Sequence, residues 1–565
     1  MNLFPAPQSL KANEGIHVIP DNPEILEIPV QMEDNLAPEE YILEIQPDGI
    51  RIRAGSDRGA FYAGETLNQI RAQSGNSLPC LEIHDWPDFA ARGLMLDISR
   101  CKVPTMEALL DLVDWMASIK LNQLQLYIEH TFAFPGHDVV WENASPVTGE
   151  EIRSLDAYCS ERFIELVPNF NSFGHMERWL MHGPYKHLAE CPDGFYSPVH
   201  RKQFTYGTTL YPDKEAAEFV ASLYDSYLPH FRSSQFNIGG DEPWELGRGR
   251  SAEAVKELGK GRVYLNFLKE IHRMVTERNH KMMCWADIIM DHPEIIPELP
   301  DDMIPVIWGY NASHPFKEHC PLVAKHSAQY YVAPGNNTWN SLTGRLDEAI
   351  GNMNNAARNG HQYGAFGYLI TTWGDNGNHQ PWITILPGIL QGACSGWAVE
   401  KNENPDLEAY FGKYYFANPE MGEYLIRMGR IEDCLPLPYP DHPSGRSPTH
   451  LYLFLEGELL EKYLGEAGSI PSEAALREFI TDCSALESEI ASCETTTDVF
   501  AKSEMLIGLT MARLGARRAG ILLHGWKESA WSDDLQAVRQ EYRRVWLLRA
   551  REGGLEESME YFPGP

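Results

Sequence analysis

The sequence predicts an α/β protein built on a (β/α)8 TIM barrel, with a small N-terminal α/β domain and a helical C-terminal region. Three observations carry this. Between residues 88 and 400, eight short apolar runs alternate with helical segments. Near-continuous apolar strands between helices are what a parallel sheet covered on its outer face requires. No GxGxxG follows the first run, which removes the signature of a doubly wound dinucleotide-binding sheet. After residue 400 the strand-like runs stop.

Residues 1–87 form the N-terminal domain. YILEIQPDGIRIRAG (41–55) reads as two alternating strands around an Asp-Gly turn. AFYAGETLNQIRAQ (60–73) has helical spacing, with Phe61, Ala63, Leu67 and Ile70 near one face, and LPCLEIHDWP (78–87) is a further strand. The barrel occupies 88–400. Its strand candidates are 92–98, 122–128, 163–170, 235–240, 281–287, 304–310, 329–334 and 366–373, with helices such as 105–120 and 253–278 between them. Residues 401–565 are helix-rich at 406–434, 451–464 and 472–552, and Pro-rich PLPYPDHPSGRSP (436–448) reads as a connection.

Lys and Arg number 47 against 80 Asp and Glu, a formal net charge of −33 over 565 residues. Such a charge repels nucleic acid and anionic membrane surfaces at long range. No run of 18 apolar residues occurs, so no membrane span is expected. MNLFPAPQSLKANEG lacks a basic segment followed by an apolar stretch, which makes the cytoplasm the expected location, with secretion open for a processed N-terminus. The ten cysteines are scattered without a CxxC pair, fitting reduced thiols better than a disulfide framework or a zinc site. No cofactor and no metal are expected. The 14 Trp are the compositional feature that points to a ligand, since flat indole faces suit sugar rings.

A parallel barrel carries its active site at the C-terminal ends of its strands. Falling there are Asp97 and Arg100, Glu129 and His130, then Asn169, Asn171 and His175. The later strands end in Asp241 and Glu242, Trp285 and Asp287, Trp308 and Tyr310, Asn336 and Trp339, and finally Trp373, Asp375 and Asn376. Indole faces pack on pyranose C–H faces, while carboxylates and amides take hydroxyls, so the mixture fits a carbohydrate. Phosphate chemistry would need basic residues and a Gly-rich cradle. The centre is QFNIGGDEPWELGRGRS (235–251), where an apolar strand runs through two glycines into adjacent Asp241 and Glu242. Crowded carboxylates disfavour joint ionisation, which makes a general acid available near neutrality.

These residues resemble glycoside hydrolase family 20, the β-N-acetylhexosaminidases. The likeness runs through GIRIRAGSDRGAFYAGETLNQ (49–69), ARGLMLDISR (91–100), NQLQLYIEHTFAF (122–134), NFNSFGH (169–175), NIGGDE (237–242), CWAD (284–287), VIWGY (306–310) and TTWGD (371–375). NIGGDE is the specific segment; the others are individually weak but follow the family's order. The resemblance implies an exo-acting, retaining enzyme in which the substrate's own 2-acetamido group is the nucleophile. Asp241 would orient the acetamide, and Glu242 would act as acid and then base. Arg92 would reach the sugar's 3- and 4-hydroxyls, Trp285, Trp308 and Trp373 would wall the pocket, Asp375 would contact the 4- or 6-hydroxyl, and His175 would lie near the acid/base. The substrate implied is an amino-sugar-terminated oligosaccharide or glycoconjugate, and the C-terminal helices leave a homodimer open. Two departures stand out. Asn171 replaces a frequent Asp, which leaves charge support to Glu129. APGNNTWNS (333–341) lacks the Tyr that commonly binds the acetamide oxygen, so Tyr310, Asn337 or Trp339 would substitute. The competing readings are another barrel hydrolase with a direct carboxylate nucleophile and a non-catalytic sugar-binding protein.

Overall fold

The computed structural model describes residues 1–19, 28–197, 202–436, 445–456, 460, 470–494 and 497–564. At the N-terminus β1 (Ser9–Val18), β2 (Val30–Met32), β3 (Tyr41–Gln46), β4 (Gly49–Ala54) and β5 (Ser77–Asp85) form a sheet in the order β1-β5-β3-β4-β2. The Asp48–Gly49 turn joins antiparallel β3 and β4, as the Asp-Gly dipeptide predicts. Helix Asp57–Ser74 covers one face with Tyr62, Ala63, Leu67 and Ile70; the Ser56 hydroxyl accepts from Arg58 N–H at its start, and Gly75 (φ +58°) ends it. β1 and β2 are not legible in the sequence. β1 is an edge strand, exposed along most of its length and interrupted by a bulge between Ala12 and Ile16, so no alternation betrays it.

All eight barrel runs are strands: β6 (Ala91–Asp97), β7 (Gln123–Ile128), β8 (Glu165–Phe170), then, after a hairpin of β9 (Phe195–Ser197) and β10 (Lys202–Phe204), β11 (Gln235–Asn237), β12 (Lys281–Trp285), β13 (Ile304–Trp308), β14 (Tyr331–Ala333) and β15 (Gly367–Thr372). Every neighbouring pair is parallel, and β15 closes on β6 through the register Gly367↔Ala91 to Thr372↔Leu96. The bore is filled partly by Met95, Val167, Met283, Val306 and Leu369. The rest is a buried amide ladder. Asn169 and Asn237 both donate to Gln125 Oε1 at 3.0 and 3.1 Å, and Gln125 donates to Gln123 Oε1 at 3.2 Å. The helix expected over 253–278 divides at Gly259 (φ +88°) into Ala252–Leu258 and Lys260–Glu277, because a left-handed residue cannot continue an α-helix.

Helices Glu473–Ser492, Ala501–His524 and Trp531–Arg549 dominate the C-terminal region. They are fastened beside the loop after β6: Thr105 N–H donates to Arg549 O, Arg551 N–H to Val103 O, and Arg551 pairs with Glu151 at 2.8 Å. Ser447 N–H donates to Asn340 O, so this region also touches the barrel's C-terminal rim. Most of the Pro-rich connection (437–444) and part of the helix expected at 451–464 (457–459 and 461–464) lie outside the described residues. All ten cysteines are free. Among the described residues no helix is long and apolar enough to cross a membrane.

Candidate active site

The chain leaves β11 through Gly239 and Gly240, with φ of +69° and +87°. Gly239 has no room for a side chain: a Cβ there would lie 1.8 Å from Asn171 Oδ1, so Asn171, just past β8, packs directly under the turn. Glu242 itself takes φ +46° and His175 φ +55°. A non-glycine residue holds such a backbone only where its surroundings over-determine it. Here Glu242 N–H donates to Asp287 Oδ2 at 3.0 Å, and Tyr264 OH donates to Gly240 O at 3.0 Å. On a regular strand adjacent side chains point to opposite faces. This turn instead brings Asp241 and Glu242 each to 3.4 Å from His175 Nε2. Asp241 is deep, with its side chain 7 % exposed, while Glu242 stands at the mouth at 35 %.

A chain of charges runs back from that histidine. His175 Nδ1 lies 3.9 Å from Glu129 Oε1, which accepts from Tyr127 OH at 2.9 Å and pairs with Arg100 at 3.1 Å. Arg100 also pairs with Asp97 at 3.0 Å, and Asp97 takes the Gly374 N–H at 2.9 Å. Burial opposes a charged imidazole, but the Asp241 carboxylate and the hydrogen bond to Glu242 outweigh it and hold His175 protonated well above the usual histidine range. Burial pushes the Glu129 carboxyl up to about 7 despite Arg100 beside it. Burial, followed by the Asp241 charge, pushes Asp287 up to about 8. The sequence placed the raised carboxyl within the Asp241–Glu242 pair; the carboxyls that burial raises are Glu129 and Asp287, which stand beside that pair.

Aromatic rings build the walls. Trp308 stacks on Tyr310 with centroids 5.1 Å apart at 22°, and Trp339 meets Tyr310 edge-on at 5.1 Å. Trp373 Nε1 donates to Tyr310 OH at 2.8 Å, and Trp285 lies 5.9 Å from Trp373. The Arg100 guanidinium sits over Tyr127 at 4.5 Å and Trp373 at 5.1 Å. Asp375 follows Trp373, and burial raises its carboxyl against the opposing pull of Arg100. Asp241 Oδ1, Asp287 Oδ1, both amide atoms of Asn171, and the indole N–H groups of Trp285 and Trp308 are buried without a hydrogen-bond partner. Each such group costs about 1–3 kcal/mol. Their concentration at one end of the barrel marks where a polar ligand belongs.

The family model described as "Glycosyl hydrolase family 20, catalytic domain" matches residues 89–362, and that for "Glycosyl hydrolase family 20, domain 2" matches residues 6–86. The chain belongs to glycosyl hydrolase family 20. A β-hexosaminidase of Akkermansia muciniphila is 30 % identical over 232 residues, 36 % of this chain and 46 % of that protein. β-Hexosaminidase subunit A2 of Dictyostelium discoideum is 26 % identical over 219 residues, 36 % of this chain and 38 % of that one. The chain thus spans less than half the length of these curated relatives. Among solved structures, the chitobiase of Flavobacterium johnsoniae shares the fold over 99 % of this chain and 98 % of its own, with a TM-score of 0.59 and 17 % identity.

Within this family 20 barrel the structure gathers Asp241, Glu242, Glu129, Asn171, His175, Trp285, Trp308, Tyr310, Trp339, Trp373 and Asp375 at the C-terminal face. Arg92 is the exception and a correction to the sequence reading. It lies near the start of β6, at the opposite end of the barrel, and is 0 % exposed. Its guanidinium is taken up by Glu39 of the N-terminal domain at 2.7 Å, by Phe89 O and Lys120 O at 2.8 and 3.0 Å, and by Tyr62 OH at 3.3 Å. The arginine at the site is Arg100, eight residues later. Strand direction in ARGLMLDISR held the signal: in a parallel barrel only the arginine past the strand's C-terminal end can reach the pocket. The other residues whose roles the sequence did not assign are Tyr127, which holds Glu129; Trp244, edge-on to His175 at 5.4 Å; and Asp287. His175, Asp241 and Glu242 bring nitrogen and oxygen atoms within 4.8 Å of one another, the spacing of a metal cluster. The Asp241 carboxylate favours the protonated imidazole, and in that form His175 donates to the carboxylates beside it.

Proposed function

We propose that the protein is an exo-acting, retaining β-N-acetylhexosaminidase that releases terminal GlcNAc and/or GalNAc from oligosaccharides or glycoconjugates. The observation that carries the reading is the Asp241–Glu242 pair gathered on one histidine at the C-terminal face of a family 20 barrel. The named relatives, β-hexosaminidases of Akkermansia and Dictyostelium, support it. In substrate-assisted hydrolysis the acetamide oxygen attacks C1 as the glycosidic bond breaks. Glu242, at the mouth, enters this step in its protonated form and gives that proton to the leaving oxygen. Asp241, deeper, orients the acetamide and offsets the positive charge that spreads onto its nitrogen in the oxazolinium. Glu242 then takes a proton from the water that opens the ring at C1. Two inversions leave the configuration retained. The nucleophile is tethered, which gives it a high effective concentration, and Asp241 is fixed before charge develops.

Tyr310 is our choice for the acetamide oxygen. Its hydroxyl accepts from Trp373 and keeps its own proton to donate, since burial and then the Asp241 and Glu242 charges hold it un-ionised. Asn337 spends its amide on Tyr310 O and Gly335 O, and Trp339 is 1 % exposed. Arg100 and Asp375 take the ring hydroxyls, and Trp285, Trp308 and Trp373 enclose the sugar. Hydrolysis of aryl β-GlcNAc and β-GalNAc tests the reading, with Asp241→Asn and Glu242→Gln as controls and an N-acetyl-thiazoline as inhibitor. No turnover of either sugar by wild type, or variants as active as wild type, would overturn it. Assembly through the C-terminal helices into a homodimer belongs to the same proposal, supported by exposed Leu522 and Leu547 there. Light scattering giving the monomer mass would remove it.

A further inference from the structure

Asp287 follows β12 and faces groups from three elements. Asp241 and Glu242 face it from the turn after β11, Lys260 and Tyr264 from helix Lys260–Glu277, and Cys284 from β12. Its Oδ2 accepts the Glu242 N–H at 3.0 Å, while its Oδ1 is buried with no partner, as is Asp241 Oδ1. Among the described residues no cation lies within ion-pair distance. Lys260 feels the charges of Asp291 and Asp287 but pairs with neither. An ionised carboxylate so placed would have one oxygen buried and unpaired and would lie beside another acidic group, each of which favours the neutral form.

We infer that Asp287 is a positioning carboxylic acid: it keeps its proton at neutral pH, fixes the strained Glu242 backbone through the N–H, and closes the alkaline side of the activity when that proton is lost. Loss of the proton leaves an anion with no paired cation among the described residues, in a site already holding two carboxyl groups. The site relieves this only by opening the turn that carries Glu242. The mechanism above gives Asp287 no role, and it touches no reacting atom. Its kinetic consequence rests on the hydrolase reading, whereas its protonation does not.

Asp287→Asn is the decisive variant, because the amide oxygen still accepts the Glu242 N–H and the side chain stays neutral at every pH. Its kcat/KM at pH 5–6 is expected within about threefold of wild type, with the alkaline fall displaced upward by about one pH unit or more. Coincident pH profiles would overturn the inference. The thermal arm needs no substrate. A carboxyl whose folded-state pKa exceeds its unfolded one binds more protons when folded, so wild type loses stability as pH rises through the interval between the two values. The Tm advantage of Asp287→Asn over wild type should therefore grow from about pH 4 to about pH 8 and then level off. Asp291→Asn, an exposed neighbour, should show no such trend. A Tm difference independent of pH overturns the inference even if the protein hydrolyses no sugar. Asp287→Ser, which keeps an acceptor but no acid, gives the same thermal readout should the amide disturb the turn.

Discussion

The two ends of strand β6 carry an arginine each, and they are used in opposite ways. At the base, Arg92 is enclosed by Glu39, Phe89 O, Lys120 O and Tyr62, while Lys120 pairs with Asp85 at 3.0 Å and Asp85 accepts from Trp397 Nε1 at 2.8 Å. None of these side chains has a buried polar atom without a partner. Burial opposes the Glu39 charge, and Arg92 more than offsets it, holding the carboxyl below its usual range. At the mouth, Arg100 heads a chain of charged groups that ends in orphaned atoms of Asp241, Asp287 and Asn171. A polar network that closes on itself joins two domains. One left open at the barrel mouth awaits a ligand.

Four variants test this contrast. The largest effect is expected for Glu242→Gln, which removes the transferable proton: kcat should fall about 10³-fold or more with Tm unchanged within a degree or two, read by steady-state kinetics and calorimetry. Next, Arg92→Met strands Glu39 and should cost about 3–5 kcal/mol of stability in denaturant titration, with kcat/KM per folded molecule unaltered. A catalytic loss without a stability loss would reverse the assignment of the two ends. Arg100→Met should do the converse in kinetics, lowering kcat/KM by about 10–100-fold as charge-assisted hydrogen bonds to the sugar are lost. The smallest change is expected for Tyr310→Phe: a fall in kcat/KM of about tenfold for one neutral hydrogen bond. Binding of a hexose without the acetamido group should show no such difference, and an equal loss of affinity for it and for GlcNAc would move the acetamide contact elsewhere.

Several elements were readable because local chemistry decides them. The eight apolar runs became eight strands, since a strand covered on both sides must be apolar nearly throughout. NIGGDE exposed the acidic turn, since two glycines beside two carboxylates are unfavourable in any ordinary strand. The edge strand β1 was invisible because it is polar and exposed, and its partner residues in β5 lie 59 to 75 positions away. Arg92 misled because residue type and family likeness carry no direction. The amide ladder of Gln123, Gln125, Asn169 and Asn237 gave no warning either, as buried amides look like surface amides until their partners are known.

By itself the sequence determined the barrel, the helical C-terminal region and the identity of the acidic pair, because periodicity and turn chemistry act over a few residues. Only the tertiary structure decided which arginine serves the site and which serves the domain interface. It also decided that Asp287 lies against the Glu242 backbone with its second oxygen unpartnered. Ionisation and hydrogen-bond completion depend on burial and on charges brought together from distant strands, and neither is set until the barrel closes.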